Sequence, residues 1–174
     1  MTPSHGATLS ADSCLSAAWS CFDEGRVDDA IQFARQSLAQ ASEGRQHAYA
    51  ALGWFLLSAG SLDEAEALLV SCIGRYPEYA PLHWYLGLLH LQQKHPEEAS
   101  QALLAAVTFD PALDEAAVSL AWVLGDLGRF REAEHFARQA LARKQQPDRV
   151  AQLGWFLLAQ ENWDAAATQL AHAL

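Results

Sequence analysis

Leu52-Gly53-Trp54-Phe55-Leu56-Leu57 spells LGWFLL, and the same six residues return at Leu153–Leu158, 101 positions later. That offset is one short of three times 34, and a slide of about 34 residues brings other positions into line. Ala30, Ala65, Ala99, Ala133 and Ala166 recur at spacings of 35, 34, 34 and 33, in turns such as DDA, DEA, EEA and REA. A second small-residue series, Ala18, Gly53, Gly87, Ala121 and Gly154, keeps step twelve residues earlier. A third, Ser37, Cys72, Ala106, Ala140 and Ala173, follows seven residues later. Large apolar residues stand between them: Leu52, Leu86, Leu120 and Leu153 before the turn, and Leu38, Ile73, Val107, Leu141 and Leu174 after it. Small residues in register on two helices let the axes approach closely while the large ones fill the flanking grooves. Each period therefore reads as an antiparallel helix pair, and the chain as all-α.

The turn residues agree. Gly25, Gly60 and Gly128 stand five residues before the register alanine, where the first helix of a pair must stop. Pro77, Pro111 and Pro147 close second helices, and Pro96 fits the first turn of one. The acidic pairs Asp28-Asp29, Asp63-Glu64 and Glu97-Glu98 fall at second-helix N-termini, where the helix dipole favours anions.

This pattern resembles the tetratricopeptide repeat, with the third unit closest to the family: Trp84, Leu86-Gly87, Ala99, Ala106 and Asp110-Pro111. The family's aromatic before the turn alanine is met by Phe130 and Trp163 but replaced by Val27, Leu62 and Pro96. Five repeats are expected, about 11–45, 46–79, 80–113, 114–146 and 147–174, after a flexible leader over residues 1–10. The resemblance implies one right-handed superhelical α-solenoid, first helices lining a concave groove and local contacts dominating stability. The last repeat lacks a polar capping helix, from which the sequence reads as the N-terminal part of a longer polypeptide.

Composition limits the function. The 174 residues are 51% hydrophobic, and 21 acidic against 11 basic side chains give a net charge of −10. That charge repels phosphate backbones and anionic membranes, so neither nucleic acid nor a membrane surface is an expected partner. No apolar stretch reaches the roughly 20 residues of a membrane span, and no signal peptide is visible. Cys14, Cys21 and Cys72 form no CxxC and leave an odd count, which points to a reducing compartment, by default the cytoplasm. They fall on inward positions and read as inert thiols. No glycine-rich phosphate loop, HExxH or GxSxG is present, so no enzyme activity and no cofactor is expected. His83 and His90, seven apart, find no further ligand at suitable spacing, so no metal site is expected either.

The constellation left to explain is the tryptophans. Trp19, Trp54, Trp122 and Trp155 each follow the small residue of a first helix, and Trp84 lies one turn before the equivalent Leu88. In the resembled family this register faces the groove. The expected partner-binding groove therefore comprises Trp19, Trp54, Trp84, Trp122 and Trp155, enlarged by Phe22, Leu57, Leu91 and Leu158 three residues after the stripe. Five half-exposed indoles amount to about 500 Å² of apolar surface, near the most a monomer leaves uncovered. The alternative is that the indoles pack between neighbouring repeats. Family members that clamp acidic peptide tails carry Lys, Arg and Asn on these helices; here Trp, Ala, Ser and Leu stand there, and Asp12, Glu115 and Asp148 make the rim acidic. The basic residues between Arg129 and Arg149 fall mainly on a second helix, hence on the outer face.

The function expected is a non-catalytic scaffold module that holds an apolar or amphipathic protein segment. Similar arrays often precede bacterial transferase domains, so a catalytic domain of the same polypeptide is a candidate occupant. Homodimerisation in which the uncapped final helix and the stripe bury each other, or a glycan-binding groove serving a glycosyltransferase, are the alternatives.

Overall fold

A computed structural model describes residues 10–41, 44–143, 151, 153 and 155–157. Eight helices have both ends among the described residues, residues 151, 153 and 155–157 are helical as well, and no strand occurs among the described residues. The chain divides into two compact units, Met1–Pro77 and Glu78–Leu174. The first holds α1 (Ala11–Asp23), α2 (Val27–Gln40), α3 (Arg45–Ser58) and α4 (Leu62–Arg75). The second holds α5 (Ala80–Gln92), α6 (Pro96–Phe109), α7 (Asp114–Asp126) and α8 (Phe130–Arg143). Within each unit, consecutive helices pack on one another as antiparallel pairs, the arrangement expected of an α-solenoid. Residues 1–9 of the leader expected over 1–10, and most of the fifth repeat with Leu158 and Trp163, lie outside the described residues, while Ser10 caps α1, its Oγ accepting the Ser13 amide at 3.2 Å.

One turn design joins the helices of every pair. At the end of α1 the Arg26 amide reaches back to the Cys21 carbonyl (2.8 Å) and the Gly25 amide to Phe22 (2.9 Å), the Schellman arrangement. Ser61 and Gly60 repeat it at the end of α3, and Arg129 and Gly128 at the end of α7. The pivot must adopt a left-handed backbone, and Gly25, Gly60 and Gly128 do so at φ of 79°, 77° and 74°. After α5 the same two bonds form from His95 to His90 and from Lys94 to Leu91, so Lys94 holds the pivot at φ 63°. The next residue but one begins the second helix: Val27, Leu62, Pro96 and Phe130 are the first residues of α2, α4, α6 and α8. Between α6 and α7 the Asp110 carboxylate accepts the Ala112 amide at 2.8 Å, tightening the turn that carries Pro111.

The small-residue series set the helix spacing. A β-carbon added to Gly53 would meet Leu69 Cδ2 at 2.7 Å, and one added to Gly87 would meet Leu103 Cγ at 2.6 Å. Sixteen residues separate each pair, and the other two first helices carry Ala18 with Ala34 and Ala121 with Ala137 at that spacing. All four of these alanines are buried. Where the first helix gives up its side chain the second supplies a leucine, and where both keep a methyl neither is large. Both arrangements keep a small residue at the point of closest approach, although the Gly/Leu pairs fill more volume there than the Ala/Ala pairs.

Cys14, Cys21 and Cys72 are buried thiols, and burial pushes Cys72 up from its ordinary range. Ser37, the one hydroxyl in its small-residue series, is buried and donates to the Ala11 carbonyl at 2.8 Å, so its polarity is satisfied. In the second unit a continuous core gathers Ala99, Leu103, Leu120, Leu124, Ala137 and Phe156 from successive helices.

Candidate functional site

The two copies of LGWFLL show how a first helix divides its residues. Phe55 and Phe156 are fully buried, whereas the preceding indoles remain at the surface: Trp54 is half-buried and Trp155 is 43% exposed. One residue along a helix is about 100° of rotation, enough to turn from core to solvent. The buried phenyl rings in turn support the indoles of the preceding repeat. In the first unit Trp19 meets Phe55 edge-on with ring centroids 4.9 Å apart, and Phe22 lies 5.0 Å from Phe55 and 6.0 Å from Trp54. In the second unit Trp122 lies 5.9 Å from Phe156 and 6.1 Å from Trp155, which also meets Phe130 at 5.9 Å. Three of these contacts, Trp19–Phe55, Trp122–Phe156 and Phe130–Trp155, are edge-to-face and the others tilted, arrangements that aromatic pairs favour at these distances.

Exposure separates the expected site residues. Trp19, Trp122 and Trp155 are 37%, 47% and 43% exposed, although each also rests on a neighbouring first helix or on the segment after α8. Trp84 is different. Its indole N–H donates to Ser119 Oγ on α7 at 3.3 Å, its ring stacks on Tyr85 at 4.8 Å, and it packs against the second unit's core. Packing between repeats, the alternative reading of the stripe, describes Trp84 best and the other indoles in part. Phe22 is half-buried, as is Leu91, which packs on the second unit's core.

Leu57, expected beside Trp54 on the groove surface, is instead buried, at 2% exposure. Three residues along a helix is about 60° away from the stripe. Because α3 packs against both α2 and α4, that rotation leads into the core. Leu158 lies outside the described residues.

The residues missed by the sequence reading are Phe55 and Phe156, the floor on which the indoles rest. The signal was in the hexapeptide, which pairs each Trp with a Phe turned the other way. Lys94 was also missed, because it replaces the expected glycine.

Carboxylates on the first helices are confined to α1 and α7, since α3 and α5 carry none. Asp12 and Asp23 on α1, and Glu115 and Asp126 on α7, are exposed. The Tyr85 phenol is pushed up to about 12 by burial, with Tyr79 and Glu115 reinforcing the shift. At the start of α8 Arg129 grips Glu132 with two nitrogens (2.5 and 2.7 Å), and within α8 Arg138 pairs with Glu134, whereas α6 carries Glu97 and Glu98 and no basic residue. The Arg129 contact holds the Glu132 carboxyl below its ordinary range. Among the described residues no three His, Cys, Asp or Glu side chains gather as a metal site would require. Among them, too, no helix is long and apolar enough to cross a membrane.

Comparison with known proteins places this architecture. A tetratricopeptide repeat profile matches residues 22–72 and 56–121, and a second profile of the same description matches 115–146. No curated protein sequence matches significantly. Among solved structures, TTC0263, a thermophilic TPR protein in Thermus thermophilus, is 22% identical with a TM-score of 0.74, covering 95% of this chain and 90% of that one. Pseudomonas aeruginosa pilF is 22% identical with a TM-score of 0.77, over 94% and 74% of the two chains. The MamA fragment 41-end from Desulfovibrio magneticus RS-1 is 15% identical with a TM-score of 0.74, over 98% and 95%. Likeness at these identities shows a shared fold. With repeat profiles reaching from residue 22 to 146 and helix pairs in one register, the chain belongs to the tetratricopeptide repeat family.

Proposed function

We propose that the chain is a non-catalytic interaction module whose indole-bearing first helices hold an apolar or amphipathic segment of a protein partner. The observation that carries this reading is the exposure of Trp19, Trp122 and Trp155 at 37%, 47% and 43% while their neighbours Phe55 and Phe156 are fully buried. Core packing alone gives no reason to leave so much indole in water, whereas tryptophan ranks among the strongest interface anchors once desolvated. Within the first unit Phe22 and Trp54 add half-buried rings beside Trp19, and within the second unit Trp84 and Leu91 are half-buried against its core. The occupant is another protein or a catalytic domain of the same polypeptide, of the transferase kind expected from the sequence. A second copy is the poorer occupant, since each chain carries a net charge of −10. Buried thiols suit the reducing cytoplasm.

The experiment is co-purification from the native host of the chain and of its Trp19→Ala/Trp122→Ala variant. The variant is expected to keep its helical circular dichroism and lose the co-purifying protein. Full retention of the partner by a folded variant would remove the indoles from the account.

A further inference from the structure

The exposed indoles of α1 and α7 share a charge pattern that the rest of the chain lacks. Asp12, Trp19 and Asp23 recur 103 residues later as Glu115, Trp122 and Asp126, with spacings of seven and four in both. On a helix, steps of seven and four residues rotate by about 20° and 40° from the starting direction, so each indole and its two carboxylates share a face. The carboxylates stand about 16 Å apart along the axis with the indole between them. All four are exposed. Among the described residues, the arginine ion pairs engage Glu24, Asp29, Glu64, Glu132 and Glu134, and none takes these four.

Helix stability accounts for half of the pattern. Asp12 and Glu115 sit in first turns, where the dipole favours an anion. Asp23 and Asp126 are the last residues of α1 and α7, where the same dipole opposes a negative charge. Two carboxylates held against the dipole, each one turn beyond an exposed indole, need another reason, and a cationic ligand supplies it.

We infer that these first-helix faces take a basic amphipathic helix, its apolar side chains on the indole and its Lys or Arg side chains on the flanking carboxylates. Each unit carries one such face. This rests on the interaction-module reading and adds the charge of the ligand to it. Single exposed ion pairs are weak, but several acting on one ligand multiply, and steering by opposite charge raises its association rate.

The test uses the whole chain and designed helical peptides of about four turns with a Leu stripe flanked by Lys, by Gln or by Glu. Titration is followed by calorimetry and tryptophan emission. The Lys peptide is expected to bind about tenfold more tightly than the Gln peptide at low salt, with the advantage vanishing near ~1 M salt, and the Glu peptide more weakly than either. Asp23→Asn/Asp126→Asn should remove much of the Lys advantage and leave Gln-peptide affinity unchanged, while folding at least as stably as the parent. Equal affinity for Lys and Gln peptides would overturn the charge inference and leave the interaction reading standing. No binding of any peptide, with tryptophan emission unmoved, would overturn both. A concentration-dependent dimer with shielded indoles would assign the face to a second copy and overturn the cationic ligand.

Discussion

At the scale of single residues, the helix contacts are tuned by one carbon at a time. Gly87 faces Leu103 so closely that an added β-carbon would stand 2.6 Å from Cγ, with the Ala99 carbonyl at 3.3 Å on another side. Gly87→Ala should therefore cost about 1–3 kcal/mol through overpacking. Leu103→Ala alone should cost about 2–5 kcal/mol through a cavity. Together the two changes recreate the Ala/Ala contact found at Ala18 with Ala34 and at Ala121 with Ala137. Urea denaturation of the double variant should then show a loss smaller than the sum of the single losses by about 1 kcal/mol or more; strict additivity would mean the contact is not a matched pair. Lys94 offers a change in the opposite direction. It holds φ at 63° where its three counterparts are glycine, and a left-handed backbone costs a side-chain-bearing residue about 1–2 kcal/mol. Lys94→Gly should raise stability by about 1 kcal/mol, read as a higher urea midpoint; a fall in the midpoint would place the lysine side chain in a stabilising contact.

At the scale of the element, each first helix has one face that must be buried and one that need not be. The period of about 34 and the paired small series made the helix pairs legible in the sequence, because close helix packing tolerates only Gly, Ala, Ser or Cys at those points. The turn glycines were legible for the same kind of reason, and Lys94 was not, since its turn is held by two backbone hydrogen bonds that depend on no side chain. Assigning a face by offset alone succeeded less well. Phe22 and Leu57 share a register, yet Phe22 is half-buried and Leu57 is buried, because α3 is packed by α2 and α4. Burial depends on which neighbours a helix has, and a single helix's periodicity does not contain that. The element scale also carries a pH effect. Tyr85 on α5 keeps its proton to about pH 12 in the folded chain, whereas an unfolded tyrosine releases it near ~10. Between those values the unfolded chain binds fewer protons, so stability falls as pH rises through that window. Thermal melts across alkaline pH should show this decline, and Tyr85→Phe should flatten it; an unchanged decline would trace it to other groups.

For the whole molecule, much of the candidate site is legible in the sequence as a recurrence. That the tryptophans form a register could be read directly; that they are unequal could not. Trp84 satisfies its indole N–H on Ser119 of the next first helix, and that contact depends on how two repeats stack. Trp122 has rings on one side and solvent on the other, at 47% exposure the most open of the indoles among the described residues. The central claim is that this open side is a protein-binding surface. Its most direct test is a photo-crosslinking residue placed at position 122 of the chain in its native host, with the same residue at exposed Val70 on α4 as the control. A discrete crosslinked protein from position 122 and none from position 70 is the predicted result. No crosslink at 122, or the same products from both positions, would contradict it.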